Sequence, residues 1–517
     1  MLSAPSILAL PLAAWCLSAG TAAQQPAPAV EIAPASLRSA WVDRGRGLLD
    51  VEDPLAAWRV YHGARPVGDE HVERDLGLGR AHLMLGHAER ATRFAERSLA
   101  AAPERQDAMA LTVRALIRDR RFDDAVRRAQ LFLERAGAPS ADLLASRGSS
   151  LFRVQRTDDA ADVYRRVVAL DREHAEAHLR LGSGLTPPVV VKVSPQLLAA
   201  AAALDAGDRA AAVERLQAVL AAEPGNPIAH RLLGETLFAE RTAQCMAMQS
   251  DAFSGLSEHL PTPDVSALRV AEFVPGYREL SQRRRAVVDR TAAMFGSRLA
   301  KLIEVGGRHD LLVELERTTD APAREGLRGR RTFDGRVWDD VRGIGGLRAA
   351  TGIEALDEAA TFGFDTFAHE VAHQVHFFTF SPLERARVRS LYKAALAEGR
   401  CLDYYAASNE AEYFGQGVEA FVSLAKRPGG ETTHGHTRWE LERVDPKLYA
   451  FIAALVDFDP LSDPLCRGPL LQASAEAALR CGRPEDARLA AARLLPGAGR
   501  ERLLAEIGRA DLELRSR

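Results

Sequence analysis

Within residues 361–380, TFGFDTFAHEVAHQVHFFTF, two histidines stand four apart with a glutamate directly after the first: His369, Glu370 and His373. Apolar residues crowd around them (Phe364, Phe367, Val371, Val375, Phe378), and no Pro or Gly follows Gly363 in the stretch. A partly buried helix is therefore predicted. Side chains four apart share one face of a helix, so the two imidazoles converge on a single point. Two neutral imidazoles one turn apart suit Zn²⁺, and the adjacent carboxylate can accept a proton from water held by the metal. The pattern arises by chance in roughly a few per cent of chains with 14 His in 517 residues, so it needs support from a further ligand.

Zinc-binding helices that continue to a further His after a Gly are excluded, because no such run follows His373. Tyr392 and Lys393 occupy the place where a closely spaced glutamate ligand would fall. Residues 401–426, CLDYYAASNEAEYFGQGVEAFVSLAK, instead form a Tyr-rich loop entering a second helix, with Asn409 as its N-cap. Three glutamates compete there: Glu410, Glu412 and Glu419. Glu410 lies about 200° around the helix from Glu412, and Glu419 lies two turns on, roughly 10 Å along the axis. Only one of them can share the coordination sphere. Glu412, Gly415, Gln416 and Glu419 share a face, and Gly415 allows close approach to the first helix. His376 reads as core or as support for a ligand. His434 and His436 read as exposed loop residues, and Phe362, Phe367 and Phe378 as core.

HEVAH together with YAASNEAEYFGQGVEAF resembles gluzincin peptidases with an anthrax lethal factor-like catalytic domain, including the Pro-Pro endopeptidases. The resemblance covers residues 331–456 at most. It implies that Glu412 is the third zinc ligand and that Tyr405, seven residues earlier, assists at the oxyanion. The implied reaction is peptide hydrolysis by metal-activated water, with Glu370 as general base. Gly415-Gln416 stands where relatives often have Ala-Glu, which leaves Glu419 as the candidate to orient a ligand.

Other elements must position this pair of helices. Gly86, Ala91, Leu99 and Pro103 set a spacing that recurs: Ala125 with Pro139, Ala160 with Tyr164, then Gly207, Ala212, Leu220 and Pro224. Ala91 to Ala125 is 34 residues and Ala125 to Ala160 is 35. Leu78-Gly79, Leu181-Gly182 and Leu233-Gly234 recur in the first helix of their units. The pattern over roughly 65–240 resembles the tetratricopeptide repeat. Each such unit buries its apolar face only by stacking on the next, which leaves a concave surface for an extended peptide or a protein partner. Thr186-Pro187-Pro188-Val189-Val190-Val191 interrupts the array. Residues 276–304 and 383–398 read as helices. Residues 331–358, with Gly343, Gly345, Gly346 and Gly352, read as a small sheet with tight turns; they lack the residues of a phosphate-binding loop. Residues 467–496 read as a further helical pair.

Composition limits the remaining options. The chain is 47% hydrophobic and 26% charged, which argues against global disorder, and a net charge of −3 points to no nucleic-acid partner. Residues 1–23 are apolar and end in Thr21 and Ala23, as a cleaved secretory leader does, so a secreted or periplasmic protein is expected. Trp15 before Cys16 argues against a lipid anchor, and no later segment is long enough to span a bilayer. Cys245, Cys401, Cys466 and Cys481 then remain, with Cys466–Cys481 the simplest disulfide and free thiols the alternative.

The expected fold is mainly α: a tetratricopeptide-repeat solenoid plus an α+β zincin-like metallopeptidase domain with a small sheet. The expected division is a leader over 1–23, a linker over 24–40, the solenoid over 41–240, the zincin-like domain over 241–462 and a C-terminal helical unit over 463–517. The function expected is an exported zinc metallopeptidase whose repeats bind substrate or a partner protein. The alternatives are a non-enzymatic repeat scaffold with a structural zincin domain and a zinc hydrolase of non-peptide bonds.

Overall fold

The computed structural model describes residues 40–185, 191–248, 250–428 and 435–515. The expected leader, the linker up to residue 39, the interruption at 186–190 and His434 lie outside the described residues.

Over residues 40–185 and 191–248 the chain runs through successive helices joined by short turns. Ala91, Ala125, Ala160 and Ala212, which set the phase of the repeat, have no exposed surface. A methyl group is the largest side chain that lets neighbouring helices meet there. Local signals fix the helix starts. Ser140, Ser194 and Asp208 each cap a helix by accepting from the backbone N–H three residues on. The Leu-Gly pairs mark close crossings. A Cβ on Gly79 would meet the Leu111 side chain at 2.7 Å, whereas one on Gly182 would meet the Arg231 backbone nitrogen at 2.3 Å. Gly182 and Gly234 thus lie at a single crossing, between helix Pro227–Met248 and the segment begun by Ala175–Arg180. That segment ends in a turn at Leu181–Leu185, where Ser183 and Gly184 leave helical geometry.

The chain after Ser250 is mixed. Helices Gln282–Met294, Gly296–Glu304 and Pro382–Glu398 fall where the sequence predicts helix. The sheet has three strands in the order β1-β3-β2: β1 Arg308–Leu312, β2 Gly343–Ile344 and β3 Arg348–Gly352. β1 runs parallel to β3, and β2 antiparallel to it. The sequence reading placed the sheet within 331–358 and missed β1; it also missed that Glu354–Ala360 is helical. One apolar core joins Val288, Leu299, Phe367, Val371, Phe414 and Val418.

The C-terminal pair, Pro464–Arg480 and Pro484–Ala492, is followed by helix Ala498–Arg515. It packs in two directions. Leu470, Ala477 and Ala490 bury the ring of Trp439, while Arg480 donates to the carboxylate of Asp53 at the start of the array.

Three expectations need correction. Cys466 and Cys481 form no disulfide, and neither do Cys245 and Cys401. Cys466 lies within the helix that Cys481 caps, about 22 Å away along the axis at 1.5 Å per residue, beyond disulfide reach. Phe378 is 40% exposed at the end of its helix and takes no part in the core, whereas Phe367 does; Phe362 is partly buried against Phe253. His436 is buried, for reasons given below.

The two glycine crossings differ in what yields. Gly79→Ala meets a flexible side-chain tip, while Gly182→Ala meets backbone. Denaturant unfolding is expected to show a loss of about 1–3 kcal/mol for Gly182→Ala, the usual range for overpacking, and a smaller loss for Gly79→Ala.

Candidate metal centre

The histidines lie on helix Thr366–Phe378, which the sequence starts firmly. Asp365 accepts from the Ala368 N–H at 2.9 Å, and its own N–H donates to Glu419 at 3.0 Å. The second helix, Glu410–Val422, begins with Asn409 accepting from the N–H groups of Ala411 and Glu412 at 3.0 Å each. The helices meet at Gly415, where a Cβ would stand 2.8 Å from Cε1 of His369 and 3.0 Å from Cε1 of His373.

This approach brings three donors together. His369 Nε2 lies 3.0 Å from His373 Nε2 and 3.1 Å from Glu412 Oε2, and His373 Nε2 lies 3.4 Å from the same oxygen. Among the described residues, His369, His373 and Glu412 form the group of ligand-type side chains that could hold a metal ion, with one ligand atom from each within 4.8 Å of the others. Ligand atoms about 2.0–2.1 Å from a tetrahedral zinc stand about 3.3–3.4 Å apart. The residues therefore fit a zinc ion, with the edges of the triangle slightly short of or equal to that spacing. Converging lone pairs in an apolar interior are costly without positive charge between them.

Glu370 is buried against β2: a Cβ on Gly343 would be 2.7 Å from its Oε1, and one on Gly345 would be 3.0 Å from Cβ of His373. Gly343 and Gly345 thus let the strand lie against the helix, besides forming turns. Burial pushes the Glu370 carboxyl up to about 7, against the pull of His373. Burial also raises Glu412, but hydrogen bonds from His369 and His373 outweigh it and hold the carboxyl well below its usual range. Tyr405 is pushed up by burial first and then by Glu412, with Glu370 adding to it. Its phenol therefore keeps its proton.

The remaining candidates separate. Glu410 bonds Arg389 at 3.1 Å, on the other side of the helix. Glu419 is fully buried, but it does not support a histidine; it accepts from Asp365 and pairs with Lys426. The expectation that Glu419 orients a ligand is thus corrected, because its position two turns on aims it at the start of the histidine helix. Nδ1 of His369 and Nδ1 of His373 are buried with no hydrogen-bond partner among the described residues. His376 is core: its ring stacks near Phe377 and Phe414, and burial lowers it to about 4.

Arg336 carries no motif in the sequence, and His436, expected as an exposed loop residue, is buried. Arg336, on the turn after Gly335, acts electrostatically on both Glu370 and Tyr405 and pairs with Asp334 at 2.9 Å. Its only sequence signal is the turn at Asp334-Gly335. His436 sits beneath the Tyr404-Tyr405 loop, 3.4 Å from Asp403 and 3.1 Å from Glu440. Asp403 accepts from the Ala406 N–H at 2.7 Å and so shapes that loop. Burial pulls His436 down, but Glu440 and Asp403 hold it up at about 10.

Residues 111–175, 145–183 and 197–244 match the tetratricopeptide repeat family. The chain carries tetratricopeptide repeats, and His369, His373 and Glu412 lie beyond every matched span. No curated protein matches the chain. Among solved structures, it is similar to TTC0263, a thermophilic TPR protein from Thermus thermophilus, at 17% identity over 39% of this chain and 99% of that one, with a TM-score of 0.27. MamA from Desulfovibrio magneticus RS-1 matches at 18% identity over 36% and 95%, with a TM-score of 0.24. YrrB, described as a TPR protein with an unusual peptide-binding site, matches at 18% over 34% and 86%, with a TM-score of 0.20. Likenesses this low carry no argument about function.

Metal titration separates the two glutamates. Glu412→Ala is expected to weaken zinc binding far more than Glu419→Ala, which touches no ligand and acts only through the start of the histidine helix; an equal or larger loss for Glu419→Ala would overturn the assignment of Glu412. His436 gives a pH signature. Its folded value near 10 exceeds the ordinary 6.5, so its stabilisation is complete below about 6.5 and is lost as pH rises through about 10. His436→Asn should cost about 3 kcal/mol in urea unfolding near pH 6, with the penalty shrinking towards pH 10.

Proposed function

We propose that the protein is a repeat scaffold carrying a zinc-dependent metallopeptidase. The observation that supports this reading is the convergence of His369, His373 and Glu412 beside a buried glutamate, Glu370. When bound, zinc supplies a Lewis acid that lowers the pKa of water and polarises a carbonyl oxygen. Glu370, raised to about 7, is suited to take a proton from water and pass it to the leaving amine. Tyr405, which keeps its proton, offers an O–H donor to the oxygen on which negative charge develops. β2 is at the edge of the sheet, next to Glu370, so an extended peptide could pair with its free side. Export, expected from residues 1–23, belongs to the same proposal.

A second reading has support of its own. The comparisons recognise the repeats alone, and they favour a non-enzymatic repeat scaffold in which the zincin-like part is structural. Glu370 separates the two, because a structural metal site needs no general base.

Metal analysis of the purified protein with a peptide-library digest tests the choice. Glu370→Gln is expected to retain zinc and lose hydrolysis by about a hundred- to ten-thousand-fold, the usual contribution of a general base. Unchanged hydrolysis in that variant would remove the mechanism. A zinc-loaded wild type that cuts no peptide would leave the scaffold reading.

A further inference from the structure

We infer that the repeats and the C-terminal helices close into a ring, and that the lumen inside it takes an extended, unfolded polypeptide segment and presents it to the metal centre. The cutting rests on the peptidase reading; the binding does not.

Closure is visible where the chain's two halves meet. Arg480 donates through two nitrogens to Asp53, and Arg59 pairs with Glu513 at 3.2 Å. Leu514, 3% exposed, joins the core of Leu55, Trp58 and Tyr61, and Arg90 donates to its carbonyl oxygen. The first helices of the array are thus clasped by the last helix of the chain.

The clasp turns the inner face of the array into one wall of an encircled space that stays open to solvent. The cavity measures about 2060 Å³, with Arg80, Arg114 and Arg153 on the repeat side and Asp289, Glu358 and Thr366 on the other. Small-molecule pockets measure about 300–1,000 Å³, so this volume suits a polymer. Charges of both signs share the wall with apolar residues such as Leu111 and Phe364. A nucleic acid calls for a wall of one positive sign; a polypeptide of ordinary composition suits a mixed one. A sphere of the cavity's volume has a radius of about 8 Å, against a radius of gyration of about 13 Å for a folded 100-residue domain. Folded proteins are excluded by size.

Three wall residues connect the lumen to the metal centre. Thr366 lies one turn before Glu370, and a Cβ on Gly343 would touch both side chains, at 3.0 and 2.7 Å. Phe364 stands with its ring 5.6 Å from that of His369. Arg153 donates to the hydroxyl of Tyr404 at 2.5 Å, beside Tyr405. A chain lying along this wall rests against the neighbours of Glu370, His369 and Tyr405, which themselves stand behind the wall.

The test uses the full chain and a small disulfide protein in two forms: oxidised and folded, or reduced, carboxymethylated and unfolded. Fluorescence anisotropy with zinc-loaded Glu370→Gln protein should show the folded form binding about tenfold more weakly or worse than the unfolded one. Wild type should cut the unfolded form and spare the folded one. Opening the clasp with Arg480→Glu and Leu514→Asp, at the end of the last helix, should bring binding of the folded form closer to that of the unfolded. Equal binding of both forms by the clasped protein would overturn the lumen proposal, as would a clasp-opened variant that discriminates as sharply as the parent. If nothing is cut, a short peptide included, while Glu370→Gln still selects the unfolded form, the peptidase reading falls and the lumen's occupant stands.

Discussion

The candidate metal centre depends on one close contact, the α-carbon of Gly415 against the rings of His369 and His373. Any side chain there would meet Cε1 of His369 at 2.8 Å, so the helices can approach this closely only at a glycine. The apolar residues Val371, Val375, Phe414 and Val418 hold the approach from behind, all at 1% exposure or less. Once the helices are fixed at that distance, Glu412, one turn before the glycine, must fall within 3.4 Å of both imidazoles. Ligand geometry here is a consequence of helix packing.

The second constraint lies at the start of the histidine helix. Glu419 and Lys426 form an ion pair with both side chains almost wholly out of solvent. The carboxylate also takes the N–H of Asp365, and the lysine donates to the carbonyl of Gly363. A buried pair of this kind is poor evidence for stability, since desolvation offsets most of the attraction. Its effect is positional: it fixes where the helix begins, and hence which turn carries His369. The tie runs from the far end of the glutamate helix to the near end of the histidine helix, so both ends of the crossing are held.

Much of this was legible in the sequence for physical reasons. The alanine phase of the repeats is visible because helix pairs tolerate nothing larger at 91, 125, 160 and 212, and the histidine helix is visible because its apolar period is strong. Helix geometry shows that only one of Glu410, Glu412 and Glu419 can share the site, and the choice of Glu412 rested on Gly415, the Tyr405 spacing and the resemblance to gluzincins. β1 was not legible: Arg308–Leu312 is short, and its pairing with β3 is parallel and long-range. Arg336 and His436 were missed because their roles come from tertiary neighbours. His436 looks like any polar residue in a Gly- and Thr-rich loop until Asp403 and Glu440 are brought against it. Glu419 was legible as sharing the face of Glu412 but was assigned the wrong partner, because a helical face fixes direction without saying which neighbour lies there.

The repeats and the metal centre share loops, so they cannot vary independently. Arg120, in the turn after helix Gln106–Arg118, donates to the carbonyl of Leu402 at 2.8 Å, and Arg153 donates to the Tyr404 hydroxyl, so the Tyr405 loop is held at two points of the repeat array. The turn bearing Arg336 is held from the same side: Val337 donates to the Gly184 carbonyl at 2.8 Å, and Arg331 pairs with Asp158 at the same distance. Gly184, at φ +90°, lies so close to Val337 that a side chain there would meet its backbone at 2.8 Å. A solenoid changes curvature through small rotations summed over its units. Any such change at residues 120–184 must move Tyr405 and Arg336 relative to His369 and His373, which are fixed to the other core. In this chain the repeats therefore form part of the site's geometry, beyond any role in holding a partner.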